Sequence, residues 1–312
     1  MSGIYFGIDV GGTSVKLGCF DGAGELVERR EIPTRKGENG KYLFDDIAMA
    51  VLMQTVALGL KPSAIAGAGL GVPGPVLADG FVESCVNLGV RDSYPARELA
   101  ERLGGVPVKL ANDANVAALG EAMAGGAKGA ASMAMITLGT GVGGGIVVDG
   151  KICVGAHGAA GEIGHLTVNP AETQRCNCGG RGCLEQYASA TGVVRTARLL
   201  LAQSDAPGML RGKLNLTAKD VFDAAKLGDE LAEKAVDIMC DYLALAMSHV
   251  SLVSDPEVFI IGGGVSAAGE FLLEKLRARY EGLAPIMRRK AQVRGALLGN
   301  DAGIYGACRL VL

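Results

Sequence analysis

The residues best equipped for chemistry lie in one short stretch, His165-Leu-Thr-Val-Asn-Pro-Ala-Glu-Thr-Gln-Arg-Cys176-Asn-Cys178-Gly-Gly-Arg-Gly-Cys183-Leu-Glu185. Three thiols and an imidazole are the donors that a tetrahedral Zn²⁺ selects, and tight glycine turns let the chain wrap an ion at this spacing. The spacing is not that of a zinc finger. Four protein ligands leave no open coordination position, so a zinc held by His165, Cys176, Cys178 and Cys183 would be structural. Glu162 and Glu185 flank the knot, and carboxylates beside a rigid knot can serve a substrate.

Two other segments carry the chemistry of phosphate binding. Asp9-Val-Gly11-Gly12-Thr13, followed by Lys16, places amides, a hydroxyl and a carboxylate at the tip of a predicted hairpin. Successive glycine amides form an anion-binding nest, and Asp9 can hold Mg²⁺ directly or through water. Gly139-Thr140-Gly141-Val-Gly143-Gly144 satisfies the glycine pattern of a dinucleotide site, but residues 146–148 continue as strand where that site needs a helix. It reads instead as a second phosphate-facing hairpin. No P-loop is present, so phosphates are expected between two hairpins. Gly262-Gly263-Gly264-Val-Ser266 is a strand-to-helix turn that can also approach a nucleotide. Asn112-Asp113-Ala-Asn115, at a strand-to-helix junction, admits two readings: a helix cap, or a carboxylate placed as a general base.

The elements that must position these groups alternate between strand and helix. Residues 4–8 and 15–20 read as strands around the first glycine turn, and residues 133–138 and 146–148 around the second. Each pair ends at Asp-Gly, at Asp21-Gly22 and at Asp149-Gly150. The repeat suggests two similar domains, and the alternation an α/β architecture in each. Helices are expected near 45–58, 96–103, 188–203, 218–225, 231–253 and 267–280, and strands at 64–71, 106–110 and 258–261. The boundary is expected near 112–130, with residues 1–115 as the smaller domain and 116–299 as the larger one carrying the knot. A final helix, near 300–312, is expected to return to the first domain.

Composition narrows the function. Hydrophobic residues make up 49% and charged residues 20%, which describes a globular chain. Glycine, 48 of 312 residues, is about twice its usual share, as in proteins that bring backbone close to ligands. A net charge of −3 without a basic run argues against nucleic acid or an anionic membrane as partner. The remaining five cysteines are scattered among apolar neighbours, as reduced core residues are. With no secretory signal and no spanning apolar run, a cytoplasmic location is expected.

In this order and spacing the motifs resemble the ROK family, and within it the bacterial glucokinases. The resemblance runs over nearly the whole chain and includes Gly71-Val-Pro-Gly74, Asn87-Leu-Gly89 and Gly161-Glu162-Ile-Gly-His165 besides the segments above. It implies an actin/hexokinase-like (ribonuclease-H-like) fold of two α/β domains around a cleft. The implied activity is transfer of the ATP γ-phosphoryl group to a hexose 6-hydroxyl with Mg²⁺. By the family motif Asp113 is the general base, and Asn87, Asn112, Glu162, His165 and Glu185 match sugar contacts. Asp9, Gly11, Gly12 and Thr13 with residues 139–143 match phosphate contacts, and the turn bearing Gly263 and Gly264 matches the adenosine side. Glucose is the expected sugar; fructose, mannose, allose, N-acetylglucosamine and N-acetylmannosamine are the alternatives. Sugar-sensing repressors of the same family carry a helix-turn-helix in front, which a first strand at Ile4 leaves no room for. The resemblance further implies a homodimer or homotetramer.

Overall fold

The computed structural model describes residues 3–85 and 87–312. They form two compact units. The first comprises the described residues of Met1–Gly129, Asp149–Gly161 and Leu297–Leu312; the second comprises Ala130–Val148 and Glu162–Ala296. The first of these limits, at 129/130, lies at the end of the expected boundary region of 112–130 and beyond the expected domain edge at 115/116. The reason is packing: the helix that begins at Asp113 belongs with the C-terminal helix of the first unit.

In the first unit, strands β1 (Ile4–Val10), β2 (Ser14–Phe20), β3 (Leu26–Pro33), β4 (Ile65–Val72) and β7 (Val108–Asn112) make a sheet in the order β3-β2-β1-β4-β7. The first three strands pair antiparallel through hairpins, whereas β4 joins β1, and β7 joins β4, in parallel. Strand β4, Ile-Ala-Gly-Ala-Gly-Leu-Gly-Val, is buried at seven of its eight positions, as a covered parallel strand must be. The crossover between β2–β3 and β4 is α1 (Lys41–Ala57). A two-stranded ribbon, β5 (Val82–Cys85) with β6 (Val90–Ser93), precedes α2 (Pro95–Arg102), which opens on a proline whose missing N–H costs a helix start nothing. Helix α3 (Asp113–Ala124), a two-residue strand β10 (Lys151–Ile152) and α9 (Ala302–Arg309) complete this unit.

The second unit repeats the scheme. Strands β8 (Met133–Leu138), β9 (Val142–Val148), β11 (Val258–Gly262) and β12 (Gln292–Gly295) run in the order β9-β8-β11-β12. Here too an antiparallel hairpin is extended by two parallel strands. Helices α4 (Glu185–Ala188), α5 (Ala190–Ala202), α6 (Ala218–Lys226), α7 (Glu230–Ser254) and α8 (Glu270–Glu281) pack around it. The segment expected as one helix from 267 is a short 3₁₀ turn, Gly264–Ala268, then a break at Gly269 with φ of 70°, then α8. Helix α7 has the length and hydropathy of a membrane span, but 56% of that window is buried inside its own unit, with Met239, Leu243 and Met247 fully covered.

The first unit is held by α9 at backbone contact. A Cβ at Gly69 of β4 would lie 1.6 Å from the Ala307 carbonyl, and one at Gly306 of α9 would lie 1.6 Å from the Val116 carbonyl of α3. Neither can be absorbed without driving main chains apart, so side-chain rearrangement cannot relieve it. Gly306→Ala is expected to lower stability by about 3 kcal/mol, read as a shifted urea midpoint. Gly282→Ala, whose Cβ would meet nothing closer than 3.8 Å, is expected to be neutral; equal effects would contradict the packing account.

Candidate active site

The predicted residues gather in two groups, one in each unit. In the first, Asn112 ends β7 and caps α3: its Oδ1 accepts from the N–H groups of Ala114 (3.0 Å) and Asn115 (3.2 Å). Its Nδ2 donates to Asp113 Oδ1 (2.9 Å) and to the Gly74 carbonyl (3.1 Å). Asp113 Oδ1 also accepts from Ala114 N–H at 2.8 Å. The two readings of this motif are thus compatible. Asn112 supplies the cap, and Asp113, at the first helical position, presents a half-buried carboxylate whose orientation is set by two donors. A helix N-terminus also favours a carboxylate's charge.

The hairpin tip between β1 and β2 lies in the same unit. Gly11 N–H donates to the Ser14 carbonyl (2.9 Å), while Thr34, just beyond β3, braces the turn: its N–H donates to the Thr13 carbonyl (3.0 Å) and its hydroxyl to the Gly11 carbonyl (2.7 Å). This brace has no local signal in the sequence. Thr13 is exposed at the tip, and Asn87 lies against Gly12, where an added Cβ would come within 3.8 Å of the Asn87 Cβ. Lys16 sits opposite Asp9 in the hairpin register, and its Nζ donates to the Asn300 carbonyl at 3.1 Å. The expected phosphate ligand is therefore also tied to the entry of α9.

In the second unit, four ligand atoms from His165, Cys176, Cys178 and Cys183 lie within 4.8 Å of one another. Cys178 Sγ is 3.6 Å from Cys183 Sγ, and Cys176 Sγ is 3.9 Å from His165 Nδ1. Tetrahedral Zn²⁺ with sulfur at about 2.3 Å requires ligand separations near about 3.8 Å, so this donor set fits. Burial pushes the Cys176 thiol up to about 12 and raises Cys183, whereas the Gly180 N–H leads the interactions that lower Cys178. Deprotonated together, three such adjacent thiols would need a cation among them. His165 Nε2, on the other side of the ring, is 4.0 Å from Glu162 Oε2, and both side chains are exposed.

Glu185 joins the knot to the glycine hairpin. Its Oε1 accepts from Cys176 Sγ at 3.2 Å, and its Oε2 from Val142 N–H at 3.4 Å. Oε2 occupies the space where a side chain on Gly141 would begin, 2.4 Å from that Cβ position. The start of α5 docks on the same tip, with Ala190 N–H donating to the Gly139 carbonyl and the Thr191 hydroxyl to the Thr140 carbonyl, both at 2.8 Å. Gly143 pairs with Thr137 within the sheet. A further set was not foreseen: Glu172 accepts from the Tyr187 hydroxyl (2.6 Å) and from Arg195, and Asn169 donates to Tyr187 (2.9 Å). Burial alone would raise Glu172, but these bonds outweigh it and hold the carboxyl at about 2. They pin the loop leading into the knot.

A cavity of about 500 Å³ opens beside this hairpin, lined by Gly139, Thr140 and Gly264 and by Lys219, Phe222 and Lys226 of α6. Its size is that of a small-molecule site. Gly263 does not line it; with φ of 82° and the Leu138 main chain 2.6 Å from its Cβ position, it packs the turn against β8. The α6 residues were missed because nothing but helical spacing, behind a Thr217–Asp220 capping box, marks them.

Asp9 is the titrating group of the first cluster. Burial pushes its carboxyl up from 3.8 to about 6, Lys16 opposes the shift, and Asp113 adds to it. Its carboxylate packs at the start of α9, 2.5 Å from where a Cβ on Gly303 would stand. The fold thus favours the neutral acid: that contribution is present below the unfolded value and lost as pH rises through about 6, leaving ionised Asp9 costing about 3 kcal/mol. Without divalent cations, Asp9→Asn should therefore exceed the parent in stability at about pH 8 and converge on it near about pH 4. A pH-independent difference in urea unfolding would contradict this.

Comparison with known proteins agrees with this geometry. The model of the ROK family matches residues 5–312. The glucokinase of Halalkalibacterium halodurans is 44% identical over 318 residues, covering 98% of this chain and 94% of that protein. The ROK hexokinase from Thermus thermophilus superposes with a TM-score of 0.83 at 34% identity, covering 98% of this chain and 96% of that one. The ROK family glucokinase from Streptomyces griseus, solved with glucose and AMPPNP, gives 0.73 at 32% identity and covers 99% of both chains. With its paired α/β sheets, capped aspartate and cysteine knot, the chain belongs to the ROK family and has the actin/hexokinase-like fold of its sugar kinases.

Proposed function

We propose that this protein is an ATP-dependent hexokinase that phosphorylates glucose at its 6-hydroxyl. The observation that carries the reading is the setting of Asp113, a carboxylate fixed by Asn112 and Ala114 at the start of α3. A hydroxyl attacking phosphorus needs a positioned proton acceptor, alignment and charge neutralisation more than covalent catalysis. Asp113 takes the proton of the 6-hydroxyl. Asn87 and Asn112 in the first unit, with Glu162, His165 and Glu185 in the second, bind the remaining hydroxyls, the carboxylates making the stronger charge-assisted bonds.

Gly11, Gly12 and Thr13 with Gly139, Thr140, Gly141 and Gly143 are assigned to the phosphates, assisted by Lys16. Support for ATP comes from the AMPPNP held by the Streptomyces griseus relative. The cavity bounded by Gly139, Thr140 and Gly264 is of a size for the nucleoside, and Gly263 shapes its turn. Asp9, whose burial leaves its charge poorly compensated, would hold Mg²⁺ directly or through water. Mg²⁺, when bound, neutralises charge on the transferring phosphate. His165, Cys176, Cys178 and Cys183 would hold Zn²⁺, which would cross-link the knot and fix the orientation of the His165 ring. A cytoplasmic homodimer or homotetramer fits this reading; the cysteines are all free thiols.

Three experiments test it. In a coupled ADP-release assay with ATP, glucose should give the highest kcat/KM among glucose, mannose, fructose, allose and the N-acetylhexosamines. Asp113→Asn should lower kcat by about 10²- to 10⁴-fold while calorimetric glucose affinity is retained; joint loss of both would count against the base. Metal analysis should find zinc, and Cys178→Ala or chelation should lower melting temperature and glucose affinity together. Unchanged melting and affinity would exclude the metal.

A further inference from the structure

One fully buried carboxylate lies outside every group described so far. Glu121, in the last turn of α3, has no exposed surface. Its Oε2 accepts from Gly126 N–H at 2.7 Å, its Oε1 from Leu298 N–H at 2.8 Å, and both oxygens from Leu297 N–H at 3.1 Å. Its main-chain carbonyl accepts from Gly125 and Ala127 N–H, both at 3.1 Å. A Cβ on Gly125 would stand 2.0 Å from Oε2, so that position has to lack one.

These partners are not random. The chain leaves the first unit between Gly129 and Ala130 and re-enters it between Ala296 and Leu297. Gly126 lies just before the first crossing, and Leu297 and Leu298 lie just after the second. Nothing in helix packing requires this, because α3 already meets α9 main chain to main chain at Gly120 and Gly306. The same helix begins with Asp113, eight residues before Glu121, or about 12 Å along the axis.

We infer that Glu121 is a positioning residue, a buried clamp that ties two of the chain's crossings between units to the helix presenting Asp113. The clamped amides then stay fixed to α3 through the catalytic cycle. The placement of the base on its helix depends on this grip. The inference rests on the sugar-kinase reading for its effect on turnover, but not for the grip itself.

The test uses the full chain and Glu121→Gln, which keeps the side chain's volume but turns one acceptor into a donor facing N–H groups. Amide hydrogen exchange, kcat, glucose affinity and melting temperature are measured together. Exchange at Gly126, Leu297 or Leu298 should accelerate, and kcat should fall by about 100-fold, the scale of a catalytic group misplaced by a remote change. Glucose affinity should hold. Loosened amides with unchanged kcat would overturn the inference, and so would a joint fall in kcat, glucose affinity and melting temperature, which marks a merely structural residue. In the parent protein the three amides should keep their protection when glucose and AMPPNP are added; loss of protection there would overturn the clamp even if the variant does not fold. A parent without turnover would refute the kinase reading, while exchange in parent and variant still decides the grip.

Discussion

The arrangement of the first unit depends on one constraint, main-chain contact between α9 and the elements it covers. Helix α9 comes from the last residues of the chain, yet it meets β4 at Gly69, α3 at Gly306 and the Asp9 carboxylate at Gly303. Where two main chains touch without side chains between them, their separation is fixed by van der Waals radii and has little room to adapt. Burial makes ionisation of Asp9 costly, and the neighbouring charge of Asp113 adds to that cost. A site that stores this cost in the free protein is suited to a ligand that brings positive charge.

The second unit solves a related problem with a different device. Its hairpin tip is fixed by side chains converging from one side: Glu185 above Gly141, then the start of α5 on the carbonyls of Gly139 and Thr140. Because Glu185 also accepts from Cys176, the knot and the phosphate-type hairpin cannot move independently. Groups assigned to sugar and groups assigned to phosphate share one carboxylate, and the Glu172, Tyr187 and Arg195 set anchors the loop behind them.

Much of this was legible in the residues themselves. The repeated strand, glycine turn and strand read as a duplicated device, and the two sheets share their order of hairpin and parallel strands. The run 133–138 was read to the residue because its apolar stretch is bounded by polar and glycine residues. Strand β3 was missed because Leu-Val-Glu-Arg-Arg-Glu-Ile-Pro is an edge strand, where charge is tolerated and the apolar signal is weak. Nothing local to 113–124 reveals that this helix packs on a segment nearly two hundred positions later. Glu121 was passed over for the same reason, as a glutamate in a helix reads as surface. Groups that acquire meaning through distant main chain leave no trace in spacing.

The proposed chemistry turns on Asp113 as the proton acceptor for a sugar hydroxyl in phosphoryl transfer. A crystal structure of this chain with glucose and AMPPNP bound tests it most directly. An Asp113 carboxylate oxygen is expected within about 3 Å of the glucose 6-hydroxyl, hydrogen-bond reach for a general base. A glucose seated with another hydroxyl against Asp113, or an Asp113 carboxylate that touches no sugar oxygen, would contradict it.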